Sequence, residues 1–140
     1  MKLQPYINFN GNAVDAIAFY EKAIGLKADA CTWGDITKFD PNAEVPKGKE
    51  KWIMHACMDA ADGTKFQLAD CDEGAKNPGT NICLQLTYKT AGEVTAVYNA
   101  LKDGGTILCE LAPAFYAPLY SELIDKFGIR WSVMQDNPAQ

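Results

Sequence analysis

Apolar and polar side chains alternate along Pro5-Tyr6-Ile7-Asn8-Phe9, the period of a half-buried strand. A slower period follows. Ala13, Ile17, Tyr20 and Ile24 recur at helical spacing behind Asn12 as N-cap, with Asp15 near the helix start and Gly25 as the stop. The same succession then returns. Ile82-Cys83-Leu84-Gln85-Leu86-Thr87 alternates, and Val94, Val97, Tyr98 and Leu101 form a second helical stripe that ends at Gly104-Gly105. Further strand-like runs lie near Lys27–Thr32, Trp52–Asp59, Thr64–Asp70, Thr106–Ala112, Tyr116–Ile124 and Ile129–Gln135. Turns at Asp62-Gly63 and Lys126-Phe127-Gly128 occupy corresponding places, and an extra loop from Gly34 to Glu50 makes the first half longer. Each half reads strand, helix, strand, strand, strand. A unit that occurs twice predicts one pseudo-symmetric α+β domain over 1–140, with modules at about 1–75 and 80–136, rather than a solenoid.

Composition narrows the partners. The net charge is −5, and phosphate binding needs clustered Lys and Arg, so no nucleic acid is expected. The one basic cluster, Lys47, Lys49 and Lys51, is interleaved with Glu44 and Glu50 and reads as a solvated loop. No apolar run approaches the about 18–20 residues of a membrane span. The N-terminus enters a strand pattern without the features of a signal peptide, so a cytoplasmic protein without a membrane partner is expected. Cys31, Cys57, Cys71, Cys83 and Cys109 show no C-x-x-C spacing and are expected to be free thiols. Four of them fall in strand-like runs as small hydrophobes, which leaves Cys71, in a polar loop, as the most accessible. P-loop, G-x-S-x-G and G-x-G-x-x-G signatures are absent.

Five segments carry a resemblance: Pro5-Tyr6-Ile7-Asn8-Phe9-Asn10-Gly11-Asn12, Ala16-Ile17-Ala18-Phe19-Tyr20, Ile24-Gly25-Leu26, Ile53-Met54-His55-Ala56 and Asp125-Lys126-Phe127-Gly128-Ile129-Arg130-Trp131. In them the chain resembles the vicinal oxygen chelate superfamily of glyoxalase I, bleomycin-resistance proteins and extradiol dioxygenases, and within it the PhnB-like branch. That branch often has Phe-Trp where this chain has Phe115-Tyr116. The resemblance implies two βαβββ modules forming a curved mixed sheet around a cleft, and a homodimer. In many members it also implies a divalent metal held by His and Glu on the first and fourth strands of each module, polarising a substrate. Those positions fall here near Pro5 or Tyr6, at Gln67, at Asn81 or Cys83, and at Ser132. A two-His-one-carboxylate site needs two histidines. The sequence has one, His55, on a third strand, so no metal ligand and no resident cofactor are expected and a divalent metal is disfavoured. Members of the branch are often named demethylubiquinone methyltransferases, but no Gly-rich loop for S-adenosylmethionine is present.

Alternation sorts the strand side chains into two sets. Ile7/Phe9, Phe66/Leu68, Ile82/Leu84/Leu86 and Ile129/Trp131/Val133 are apolar and are expected under the helices. Tyr6/Asn8, Lys65/Gln67, Cys83/Gln85/Thr87 and Arg130/Ser132/Met134 make the other set, which the superfamily's register turns toward the cleft. These strands bring no carboxylate. Tyr6, Asn8, Gln67, Cys83, Gln85, Arg130 and Ser132 are therefore the candidate contacts for a polar or anionic small molecule. Trp33, Tyr116 and Tyr120 are candidates for stacking, or for packing, in the loops. His55, expected to share a face with Ile53 and Cys57, is the one candidate general acid or base. The leading expectation is a metal-free small-molecule binding protein. The alternatives are a lyase, isomerase or dioxygenase using His55 or a recruited metal, and a dimeric interaction protein without ligand.

Overall fold

The structure, a computed structural model, describes residues 1, 3–72, 79 and 81–137. They divide into two compact units, Met1–Lys76 and Asn77–Gln140. The expected module boundary at 75–80 falls mainly on residues outside the described set.

In the first unit the alternating segment forms β1 (Tyr6–Phe9), followed by α1 (Ala13–Ile24), β2 (Lys27–Thr32), a 3₁₀ turn (Trp33–Lys38), β3 (Ile53–Asp59) and β4 (Lys65–Asp70). The sheet order is β1-β4-β3-β2, with β1 parallel to β4 and the other pairs antiparallel. Ala13, Ala16, Ile17, Tyr20 and Ala23 of α1 are buried, and Phe9, Ala56, Met58, Phe66 and Leu68 rise from the facing side of the sheet. Tyr20 meets Phe66 edge to face at 5.8 Å, a favoured aromatic geometry. Gly25 ends α1 in the left-handed conformation, its N–H donating to the Glu21 carbonyl.

The start of α1 is held differently from the expectation. Asn12 makes no side-chain cap bond. Asp70, at the end of β4, instead accepts the Gly11 and Ala13 N–H groups at 2.7 and 3.1 Å through Oδ1, and the Ile53 N–H at 2.9 Å through Oδ2. One buried carboxylate thus satisfies the helix start and the first residue of β3. Its negative charge also suits the helix N-terminus.

The second unit contains β5 (Leu84–Tyr88), α2 (Ala91–Leu101), β6 (Thr106–Ala114), β7 (Ala117–Ile124) and β8 (Arg130–Gln135). The order is β5-β8-β7-β6, with β5 parallel to β8. A capping box between Thr90 and Glu93 opens α2, whose Val94, Val97, Tyr98 and Leu101 are all buried against the sheet. Trp131 centres this core, its indole N–H donating to Asp125 at 2.8 Å while the other Asp125 oxygen accepts Phe127 N–H and Ile129 N–H. The Asp-Lys-Phe-Gly-x-x-Trp segment is therefore a turn bolted to its own core. Gly105 follows α2 where the backbone passes closest to β7: a Cβ there would lie 2.4 Å from the Ile124 carbonyl oxygen.

Three further expectations shift. Ile82 is not in the apolar layer: β5 begins at Leu84 and Ile82 is 70% exposed. Ile53 is buried and does not share a face with half-exposed His55 and Cys57, because the β2–β3 register slips between Cys31 and Thr32. Nor are the cysteines core hydrophobes. Cys83 and Cys109 are the exposed pair, and Cys31, Cys57 and Cys71 are half-buried. Among the described residues no helix is long and apolar enough to cross a membrane.

Candidate functional site

In each unit the helix covers one face of the sheet, and the polar set lies on the other. On the first unit's outer face, β1 pairs Tyr6 with Gln67 of β4, and β3 places His55 beside them. The His55 Nε2 and the Gln67 side-chain oxygen stand 3.4 Å apart, and the Tyr6 ring lies 6.1 Å from the imidazole. Burial, and then the neighbouring Cys71 and Cys31, raise the Tyr6 hydroxyl above its ordinary value, so it stays a neutral donor. Cys31 donates its thiol to the His55 carbonyl. Among the described residues no carboxylate contacts His55, so the imidazole lacks the charged partner that orients a general base. Asn8 is exposed on β1, and Trp33 opens the 3₁₀ turn beyond the β2 edge, half-buried. The Gly34–Glu50 loop is closed at its base, with Trp33 N–H and Gly34 N–H donating to the Trp52 and Glu50 carbonyls.

The second unit's outer face is more closely knit. Ser132, 4% exposed, lies opposite Gln85 on one side and Glu122 on the other. Cys83, just before β5, shares a hydrogen bond with Ser132, and burial raises its thiol above the usual value. Arg130 donates its Nε–H to Glu122 Oε1 at 2.6 Å, and its Nη2 meets the same oxygen. The guanidinium expected to greet an anion is therefore already paired. Tyr120 stands one strand repeat from Glu122, and its hydroxyl is pushed up to about 12 by burial and then by the Glu122 charge. Phe115 and Tyr116 form the two-residue tip between β6 and β7, with ring centroids 4.8 Å apart, and Tyr116 stacks edge-on against Tyr120 at 5.4 Å. Gln85 is exposed and donates to Thr87.

Glu122 is the residue the sequence reading missed. The signal was available: it follows Tyr120 by two on an alternating strand, so it shares that side chain's face. Its partner was not legible, because the diagonal Glu122–Arg130 contact depends on the β7–β8 register, which pairs Ile124 with Arg130.

The register also fixes the positions where the superfamily would place metal ligands. Tyr6 opposes Gln67 and, correspondingly, Gln85 rather than Asn81 or Cys83 opposes Ser132. A phenol, two amides and a hydroxyl are neutral, weak donors that do not fit a divalent ion. Among the described residues no group of three His, Cys, Asp or Glu side chains is placed to hold one.

Relatives fit this architecture. The chain is 28% identical over 148 aligned positions to Escherichia coli (strain K12) Protein YjdN, covering the whole of both chains. Protein PA1353 from Pseudomonas aeruginosa superposes with a TM-score of 0.78 at 25% identity, covering 97% of this chain and 99% of that one. A PhnB protein from Bacillus cereus, named as a candidate 3-demethylubiquinone-9 3-methyltransferase, gives 0.76 at 24% identity over 97% and 100%. A glyoxylase/bleomycin resistance protein/dioxygenase domain from Frankia sp. EAN1pec gives 0.66 at 11% identity over 100% and 94%. No family model matches the chain. Two mixed four-stranded sheets, each backed by one helix in a repeated βαβββ order, give the chain the glyoxalase/bleomycin resistance/dioxygenase fold.

Proposed function

We propose that this chain is a PhnB-like small-molecule binding protein that recognises its ligand by hydrogen bonding and aromatic contact rather than by chelation. The observation that supports this most is the outer face of the second sheet. There Glu122–Arg130, Cys83–Ser132 and Tyr116–Tyr120 are tied to one another before any ligand arrives. Side chains fixed in advance lose little entropy on binding, which favours recognition by such a face. The methyltransferase name of the Bacillus cereus neighbour is not carried over, because a parallel doubly wound sheet with a Gly-rich turn is what holds such a cofactor. The described sheets are mixed, with one parallel pair each.

The test is native mass spectrometry of untagged protein purified without chelators, with elemental analysis of the same sample. A retained organic mass, lost in Tyr120→Phe or Ser132→Ala while the fold persists, is the expected result. A near-stoichiometric divalent metal, lost together with activity on chelation, would sink the proposal.

A second reading is an enzyme using His55, for which the Tyr6–His55–Gln67 grouping speaks. Under it, His55→Asn abolishes a turnover that Ser132→Ala spares.

A further inference from the structure

We infer that Glu122 makes the outer face of the second sheet selective for neutral ligands that donate a hydrogen bond, and that it does so by occupying the guanidinium of Arg130. This rests on that face being the binding surface proposed above.

The sequence contains one arginine. In this fold it points along the sheet to Glu122, on the next strand, and both of its contacts to that carboxylate use Oε1. The pair is held out of bulk water, with the two side chains 30% and 19% exposed. An incoming anion cannot take the fork of the guanidinium without displacing a carboxylate already seated there, and it would lie beside that negative charge. A cation would lie beside the positive Arg130 guanidinium that already neutralises this carboxylate. The neighbouring groups carry no charge of their own. Ser132 is a hydroxyl, Tyr116 and Tyr120 present phenols, and Cys83 keeps its proton because burial raises it. The face is therefore polar and close to electrically neutral.

A second observation points to the donor. Both Arg130 contacts fall on Glu122 Oε1, which leaves the second carboxylate oxygen to accept from a ligand. A carboxylate oxygen accepts hydrogen bonds only, so it favours an N–H or O–H from whatever binds. The Tyr116 and Tyr120 rings, edge-on to each other, offer a wall for a planar group beside it. A flat amide or phenol meets both demands. A flat carboxylate meets only the second.

Benzamide and benzoate differ in this respect and little in shape. Because the chain has one arginine, a single Nε–H resonance reports Arg130 in nitrogen-15 spectra. In the native protein we expect benzamide to shift that resonance saturably, and benzoate to bind at least tenfold more weakly. In Glu122→Gln the guanidinium no longer faces a carboxylate on β7 and should reverse the order, with benzoate gaining at least tenfold. Glu122→Ala should do the same, and circular dichroism checks that each variant is folded. Native protein that binds benzoate as tightly as benzamide overturns the inference without any variant. So does a folded Glu122→Gln in which benzoate gains nothing. Failure of both probes to bind overturns it as well, while the proposal of a binding protein is decided separately by the retained-ligand mass spectrum.

Discussion

Replacing Asp70 by alanine should cost far more stability than replacing the residue that occupies the N-cap position. Asp70 accepts three backbone N–H groups, those of Ala13 and Ile53 buried and that of Gly11 partly so. Removing the carboxylate strands two buried donors at about 1–3 kcal/mol each. It also removes a negative charge from the α1 N-terminus, worth about 0.3–1 kcal/mol. The sum is about 4 kcal/mol, a large share of the roughly 5–15 kcal/mol by which a domain is stable. Asn12→Ala should cost less than about 0.5 kcal/mol, since its side chain caps nothing. Asp70→Asn should fall between the two. Its amide oxygen can still accept from the helix start, but its NH₂ would then face the Ile53 N–H. Urea denaturation followed by far-ultraviolet circular dichroism, with the slope checked for constancy, measures all three. If Asp70→Ala cost less than about 1 kcal/mol, or no more than Asn12→Ala, the account of a distant carboxylate holding the helix start would be wrong.

Two other expectations are cheaper to test. Tyr120 titrates near 12 in the folded protein against 10.0 for a free phenol, so the folded state keeps a proton that the unfolded chain releases. Its contribution to stability is complete below pH 10 and is lost as the pH rises to 12, in the range where ultraviolet difference spectra should show Tyr120 titrating late, alongside the raised Tyr6 and Tyr98 hydroxyls. Glu122→Gln should bring the Tyr120 phenol part of the way down, burial being the larger cause. Brief alkylation read by peptide mass spectrometry should modify Cys109 first and Cys83 next, because the raised Cys83 thiol offers less thiolate, and Cys31, Cys57 and Cys71 last. Cys71 labelling ahead of Cys109 would contradict the burial pattern.

Local chemistry made much of this protein legible from its sequence. Alternation along Tyr6–Phe9 and Arg130–Gln135, the helical stripes of Ala13–Ile24 and Ala91–Leu101, and the stop at Gly25 are set by residues a few positions apart, so period and turn chemistry suffice to read them. The repeat of strand, helix and three strands followed from those same signals, and the α+β fold class from their order. What the sequence could not give depends on which strand lies beside which. The slip between Cys31 and Thr32 turned Ile53 inward and left His55 outward, an outcome that one-strand alternation has no means to register. Asp70 reached back 57 residues to the start of α1, displacing the local cap that Asn12 advertised. The β7–β8 register set Glu122 against the only arginine, turning an apparent anion receptor into a neutral pair. Residue types and periods decided which face is polar. The pairing of strands decided which charges on that face were already answered, because electrostatic and hydrogen-bond partners are chosen by distance in space and not along the chain.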